Sequence, residues 1–272
     1  MEKTLYLTDL DGTLLRSHQK VSPFTAQTIS RLVEQGMLFS YATARSFVTA
    51  EPLTREIRGR IPVIVYNGAL IVDHQTHEIL HSHVFSSRQV EEIYSQLMHS
   101  AVFPIVYGHI GGREVFCYCP TQINEATRAF LDTRKGDVRD TPVEHPKDLC
   151  RGNPFYFTCI GEEEKLYPLY QRFRERYSCV YQKDIYSGEM WLEIMPKGCT
   201  KASSARKLKE WLGCQRLVVF GDGTNDIPLF QVADEAYAVE NGMDALKEIA
   251  TGVIASNNAD GVAKFLLTHF SG

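Results

Sequence analysis

Two short acidic turns, each containing glycine, follow directly on apolar strand patterns at opposite ends of the chain. Leu5 to Thr8 runs into Asp9-Leu10-Asp11-Gly12-Thr13-Leu14, and Leu217-Val218-Val219-Phe220 runs into Gly221-Asp222-Gly223-Thr224-Asn225-Asp226. Short apolar runs of this kind suit strands buried on both faces of a parallel sheet. In open sheets of that type, the groups beyond the carboxyl ends of the strands share one crevice. Both acidic turns are therefore expected on the same edge of one sheet, and the chain between them must leave that sheet and return.

The pattern along the chain changes where such a departure requires it. Ser22-Pro23 reads as a helix start, with Ser as N-cap and Pro at the first helical position. Ile29, Leu32 and Val33 continue at helical spacing to a stop at Gly36. Met37 to Ala42 and Pro62 to Tyr66 read as strands, and Ser46 to Ile57 as a helix disturbed by Pro52. Strands alternating with helices imply right-handed crossovers and a mainly parallel sheet with helices on both faces. After Asn67-Gly68 comes a hairpin pattern, Ala69 to Val72 and Glu78 to Leu80. From about Val84 to Glu189 the mixture differs. Helices are expected over Ser86 to His99, Thr121 to Thr133 and Glu162 to Arg176. Strands are expected around Gly111-Gly112, over Phe155 to Ile160, and near Val180 and Trp191. The alternating pattern resumes with a helix near Thr200 to Leu212, a strand Ala236 to Val239 and a last helix Ala259 to Thr268. The expected organisation is an α/β, Rossmann-like parallel-sheet core, residues 1–83 and 190–272, interrupted by an inserted α+β domain over residues 84–189.

Composition narrows the classes of function. The 272 residues are 44% hydrophobic and 23% charged, so the chain has apolar material for a core and does not read as disordered. A formal net charge of −4 offers no basic excess for nucleic acid or acidic lipid. No apolar run approaches the ~20 residues of a membrane helix. Met1 to Leu7 leads straight into a strand without signal-peptide architecture, and His269-Phe270-Ser271-Gly272 carries no retention or lipidation motif. Seven cysteines, an odd number in mostly apolar settings, read as reduced thiols. A cytoplasmic protein is expected, a monomer or weak homo-oligomer, with no nucleic-acid or membrane partner.

Four carboxylates, Asp9, Asp11, Asp222 and Asp226, would repel one another in a shared crevice unless a cation sat among them. Hard oxygen donors favour Mg2+, which takes a few carboxylates and completes its shell with water and a substrate phosphate. Either cluster alone also reads as helix caps and turn formers. Together, with glycines that let a ligand approach the backbone, they point to a metal-assisted site.

Asp9-Leu10-Asp11-Gly12-Thr13-Leu14-Leu15 resembles the first motif of haloacid-dehalogenase-superfamily (HAD) phosphatases. Ala42-Thr43-Ala44-Arg45 resembles the second, which is often Thr-Gly-Arg in this branch. Pro196-Lys197-Gly198-Cys199-Thr200-Lys201 resembles the third, and Gly221-Asp222-Gly223-Thr224-Asn225-Asp226 the fourth. Asn67-Gly68 and Asn257-Asn258-Ala259-Asp260-Gly261-Val262-Ala263 are similar to the Cof-type subfamily. The resemblance covers both ends of the chain and explains the insertion as a C2B-type cap that selects the substrate.

It implies an Mg2+-dependent hydrolase that removes phosphate from small phosphorylated metabolites, sugar phosphates or similar, through an aspartyl-phosphate. Asp9 would be the nucleophile. Asp11 would protonate the leaving oxygen and then deprotonate the attacking water. Thr43 and Lys201 would hold the phosphate, Lys201 also keeping Asp9 ionised. Lys197 is the competing lysine, and spacing to the helix start favours Lys201. The metal set would be the Asp9 side chain, the Asp11 backbone carbonyl, Asp222, and Asp226, which orients the metal's waters or Lys201 from close by. Thr43, Ala44, Arg45, Asn67, Lys201 and Asn225 would face the substrate, although Arg45 reads nearly as well as a surface salt bridge. The alternatives are a phosphomutase-type phosphotransferase and a non-catalytic sensor of a phosphorylated metabolite.

Three further patterns invite other readings. His77-Glu78-Ile79-Leu80-His81 matches the H-E-x-x-H zinc pattern but reads as a hairpin strand rather than a helix. Asp9-x-Asp11 opens an EF-hand loop pattern whose twelfth position is Lys20 instead of Glu. Cys117-x-Cys119 lacks a second thiol pair at metal spacing and reads as core packing.

Overall fold

The computed structural model describes residues 2–59, 61–184 and 187–270, so the expectations for Met1 and for the tail Ser271-Gly272 lie outside the described residues. In chain order the strands are β1 (Thr4–Thr8), β2 (Leu38–Tyr41), β3 (Val63–Val65), β4 (Leu70–Val72), β5 (Ile79–Ser82), β6 (Ile105–Ile110), β7 (Arg113–Tyr118), β8 (Asp140–Pro142), β9 (Asn153–Gly161), β10 (Ser178–Lys183), β11 (Met190–Met195), β12 (Arg216–Gly221), β13 (Glu235–Val239) and β14 (Gly252–Ile254). The helices are α1 (Pro23–Glu34), α2 (Phe47–Thr54), α3 (Ser87–His99), α4 (Glu125–Asp132), α5 (Glu163–Phe173), α6 (Lys201–Trp211), α7 (Ile227–Phe230), α8 (Asp244–Glu248) and α9 (Gly261–His269). Two compact units result, Met1–Ser82 with Cys199–Gly272, and His83–Gly198.

The first unit is built on a parallel sheet in the order β14-β13-β12-β1-β2. Leu5, Leu7, Leu217 and Val219 on the two central strands are fully buried, because helices cover both faces of a parallel sheet. β1 lies between β12 and β2 with Thr8 opposite Phe220 and Tyr41, so both acidic turns leave the same edge, side by side. A parallel bridge from Ala42 to Ile64 leads on to the antiparallel set β3-β4-β5. Helix α1 starts as its sequence predicts: the Ser22 hydroxyl accepts the Thr25 N–H at 3.0 Å and Pro23 opens the first turn. His77 sits in a turn with φ +62, and β5 begins at Ile79, so the H-E-x-x-H histidines do not share a helix face.

The second unit is an α+β sheet in the order β10-β11-β9-β6-β7-β8, antiparallel except for β7 with β8. Ile93 and Leu97 of α3 and Leu166, Leu169 and Phe173 of α5 pack against Val106, Phe157, Leu192 and Ile194 of the sheet. Cys117 and Cys119 are buried there as free thiols.

One boundary differs from expectation. Residues 190–198 were expected in the core, but β11 pairs with β9 on one side and β10 on the other, with Leu192 and Ile194 fully buried in the second unit. The chain returns to the first unit only at Cys199. Helix α4 starts later than Thr121, since Asn124 supplies the cap by accepting the Thr127 N–H at 2.8 Å. β8 and β14 were not expected, since neither is a wholly apolar run: β8 is Asp140-Thr141-Pro142 and β14 opens on Gly252. Among the described residues no helix is long and apolar enough to cross a membrane.

Candidate active site

Asp9 leaves the carboxyl end of β1, and its N–H donates to the Phe220 carbonyl at 2.9 Å. Leu10–Leu14 then form one wide turn, closed by the Leu15 N–H on the Leu10 carbonyl at 2.8 Å. Gly12 has φ +75, and a Cβ there would lie 2.2 Å from Asp222 Oδ2. Only glycine satisfies both conditions. The Thr13 hydroxyl donates to Asp222 Oδ1 at 2.7 Å. The two acidic turns thus touch through Gly12, Thr13 and Asp222.

Lys201 is the first residue of α6, placed by its capping neighbour Thr200, whose hydroxyl accepts the Ser203 N–H at 3.1 Å. Its ammonium donates to Asp9 Oδ1 at 2.7 Å and to Asp226 Oδ1 at 2.8 Å, and its side chain is 1% exposed. Asp226 is fully buried, and its Oδ2 accepts the backbone N–H groups of Asp222 and Gly223, each at 3.1 Å. Asp9, Asp222 and Asp226 each present a carboxylate oxygen within 4.8 Å of the others, a group able to hold a metal ion. Asp11 lies outside that group. Its two oxygens accept from Arg45.

The loop after β2 brings the second motif to the same edge. The Thr43 N–H donates to the Ile64 carbonyl at 3.0 Å, and the Thr43 carbonyl accepts the Asn67 N–H at 2.9 Å. The Thr43 hydroxyl accepts the Arg45 N–H at 3.1 Å. Asn67 is buried in the left-handed region, φ 52 and ψ 26, which asparagine tolerates better than most residues. Its side-chain oxygen accepts from the Asn225 amide at 3.0 Å. Ala44 is half-buried between Thr43 and Arg45, and only its backbone offers polar groups. Lys197 instead donates to the Glu175 carbonyl at 2.7 Å.

Three carboxylates and one ammonium share this small volume. Burial pushes Asp9 well above the ordinary carboxylate range; Lys201 opposes that rise, while Asp226 and Asp222 add to it. Asp222 is pushed up to about 7, first by burial and then by the neighbouring Asp226. Burial works against the Lys201 ammonium, but Asp226 and Asp9 outweigh it and its pKa rises. The acids are under-neutralised by protein alone, and a cation of hard-oxygen preference would relieve them.

The structure thus gathers Asp9, Asp11, Thr43, Arg45, Asn67, Lys201, Asn225, Asp222 and Asp226 into one network within the first unit. Sequence reasoning missed Thr13, although a hydroxyl inside the first acidic turn was a signal for it. It also missed Asn241, whose amide donates to the Gly12 carbonyl at 2.7 Å; a lone Asn-Gly pair after a strand reads only as a turn.

A family model for haloacid dehalogenase-like hydrolases matches residues 6–266. The chain is 27% identical over 282 residues to the 5-amino-6-(5-phospho-D-ribitylamino)uracil phosphatase YitU of Bacillus subtilis (strain 168), all of both chains being covered. It is 22% identical to the pyridoxal phosphate phosphatase YbhA of Escherichia coli (strain K12), over 96% of each chain. A crystal structure of a haloacid dehalogenase-like hydrolase from Bacteroides thetaiotaomicron superposes with a TM-score of 0.79 at 23% identity, covering 99% of this chain and 100% of that one, which speaks for the fold. With nearly the whole length matched and the site assembled on the expected strand ends, the chain belongs to the haloacid dehalogenase-like hydrolase family, in its Cof-type branch.

Proposed function

We propose that this hydrolase, a phosphoric monoester hydrolase, removes phosphate from a small phosphorylated metabolite with the help of Mg2+. The observation that carries the proposal is the buried Asp9–Lys201–Asp226 chain beside Asp222 and Asp11. Relatives named for a phosphoribitylamino-uracil and for pyridoxal phosphate support a small phosphorylated substrate, a sugar phosphate or similar.

The donor set fits Mg2+: all the candidate ligands are oxygens, and burial leaves Asp9 and Asp222 poorly neutralised by Lys201 alone. The Asp9 and Asp222 carboxylates and the Asp11 backbone carbonyl would hold the ion, with Asp226 acting from behind through Lys201. A bound Mg2+ would neutralise phosphate charge and align a phosphoryl oxygen. Asp9 attacks phosphorus, the bond from phosphorus to the leaving oxygen breaks, and Asp11 gives that oxygen its proton. Water then attacks the aspartyl-phosphate, Asp11 takes the proton, and the bond from phosphorus to Asp9 breaks to release inorganic phosphate. The transition state is loose, so Thr43, Asn67 and Lys201 act mainly by position and charge. The seven free thiols support a reducing, cytoplasmic setting, in which the chain would act as a monomer or weak homo-oligomer.

Phosphate release from p-nitrophenyl phosphate and a panel of phosphorylated metabolites tests this directly. Wild type with Mg2+ should be active. Wild type with EDTA and Asp9→Asn with Mg2+ should both be inactive while folded. Folded wild type that releases no phosphate from any compound would remove the hydrolase mechanism and favour a mutase or a sensor.

A further inference from the structure

The loop that leaves β13 grips both acidic turns at once. The Met243 N–H donates to the Asp222 carbonyl at 2.9 Å. Next to it, Gly242 packs so closely that a Cβ would meet Val239 O at 3.0 Å and Asp222 Cα at 3.2 Å. One residue earlier, the Asn241 amide donates to the Gly12 carbonyl at 2.7 Å. The Asn241 side-chain oxygen accepts the Asn257 N–H at 2.9 Å, and the Asn257 amide donates to the Leu15 carbonyl at 2.9 Å. Four residues, Gly12, Asn241, Asn257 and Leu15, are therefore linked in one chain of hydrogen bonds that closes over the first acidic turn.

Gly12 is the pivot of that turn, and a glycine has the widest backbone freedom of any residue. Fixing its carbonyl removes much of that freedom. The same loop fixes Asp222 through its backbone. The spacing between the Asp9–Asp11 turn and Asp222 is thus set by a segment that contributes no carboxylate to the site. We propose, resting on the phosphatase reading above, that Asn241 is a positioning residue for the divalent cation, with Asn257 as its support. Groups that orient metal ligands from behind commonly govern affinity, although they never touch the ion.

The test is binding of Mn2+ alone to the metal-free protein, read from the EPR signal of the free ion, with Mg2+ as the displacing ion. Asn241→Ala should weaken binding about tenfold. Asn257→Ala, whose backbone N–H still serves Asn241, should weaken it about threefold. Asn258→Ala is the control in the same segment; it bonds Ser17 and not the Gly12 turn, and should bind as wild type. Turnover of Asn241→Ala should recover as Mg2+ is raised, with substrate KM unchanged at saturating metal. Asn241 is exposed, so truncation removes little packing. If Asn241→Ala nevertheless fails to fold, Asn241→Asp keeps the shape and the acceptor for Asn257 but loses the donor to Gly12. It should bind Mn2+ more weakly in spite of its added negative charge. Wild-type affinity in the folded Asn241→Ala, or in Asn241→Asp if that alone folds, with binding abolished in Asp222→Asn, would overturn the proposal and leave the hydrolase reading standing. Wild-type affinity in Asp222→Asn would overturn both.

Discussion

Arg45 holds both carboxylate oxygens of Asp11, its Nε on Oδ2 and its Nη2 on Oδ1, each at 2.6 Å. The same guanidinium donates to the Gln19 side chain at 3.0 Å. A fork on a carboxylate fixes orientation as well as charge. For Asp11 to deliver a proton, one of those oxygens must carry it, so Arg45 has to release that oxygen during turnover. An arriving phosphate offers the guanidinium a replacement acceptor. Under the proposed mechanism, the observed salt bridge and the expected substrate contact of Arg45 would be two states of one residue.

Arg45→Lys keeps the charge and loses the fork. Steady-state kinetics should show KM raised about tenfold with kcat changed much less, the signature of lost binding rather than lost chemistry. A fall in kcat at constant KM would place Arg45 in the proton transfer itself.

The Lys201 ammonium is hydrogen-bonded to both Asp9 and Asp226. Lys201→Met leaves two buried carboxylates without their cation, and urea denaturation should report a loss of about 3–5 kcal/mol. Phosphatase activity should be abolished even where the variant remains folded. Unchanged stability would mean that water reaches the pair.

Gly12→Ala adds a single methyl group where φ is +75 and Asp222 Oδ2 lies 2.2 Å from the new atom. Strain and collision act together, so the expected loss of stability is at least about 1–3 kcal/mol. Divalent-ion binding should fall with it, because Asp222 must move. A variant with wild-type Tm and wild-type metal affinity would show that the two turns are not in contact.

Asp260 bonds Arg16 at 2.7 Å and 3.2 Å. Burial alone would raise its pKa, but the hydrogen bonds from Arg16, Ser22 and Thr25 outweigh it, so its carboxyl sits below the usual value. A depressed carboxylate stabilises the fold above the unfolded pKa of ~3.9 and loses that contribution as pH falls through the folded value. Asp260→Asn suits the same left-handed backbone (φ 58); it removes the charge and replaces one of the two oxygens that accept from Arg16 with an amide donor. It should cost about 1 kcal/mol near neutral pH, with Arg16 partly exposed. The Tm difference from wild type should shrink below about pH 4. A difference constant down to pH 3 would exclude the ion pair as its source.

How much of this was legible depended on distance along the chain. The strand ends bearing Asp9 and Asp222 could be read locally, because a buried apolar run followed by Asp-x-Asp-Gly or Gly-Asp-Gly needs no partner to be visible. Lys201 could be read because Thr200 marks the helix start. The Asp11–Arg45 fork and the Asn241–Gly12 bond could not, since each joins residues far apart along the chain, and neither segment's own sequence names its partner. β11 illustrates the same limit. The segment near Trp191 reads as a strand, but nothing in a strand's residues says which sheet it will join, and its neighbours β9 and β10 decide that.

The late return of the chain at Cys199 has a consequence for the order in which the protein is made. The ribosome releases β1 early, but its partner β12 follows every residue of the second unit. Until β12 emerges, Leu5 and Leu7 have only β2 as a strand neighbour, and Asp9 has neither Lys201 nor Asp222 beside it. The sheet of the second unit needs only residues 83–198 and can close first, as domains generally do during synthesis. A chain synthesised as far as residue 198 therefore has every strand of its second unit but not yet Lys201, Asp222 or Asp226. Its hydrolytic chemistry begins only when the last third of the polypeptide has been delivered.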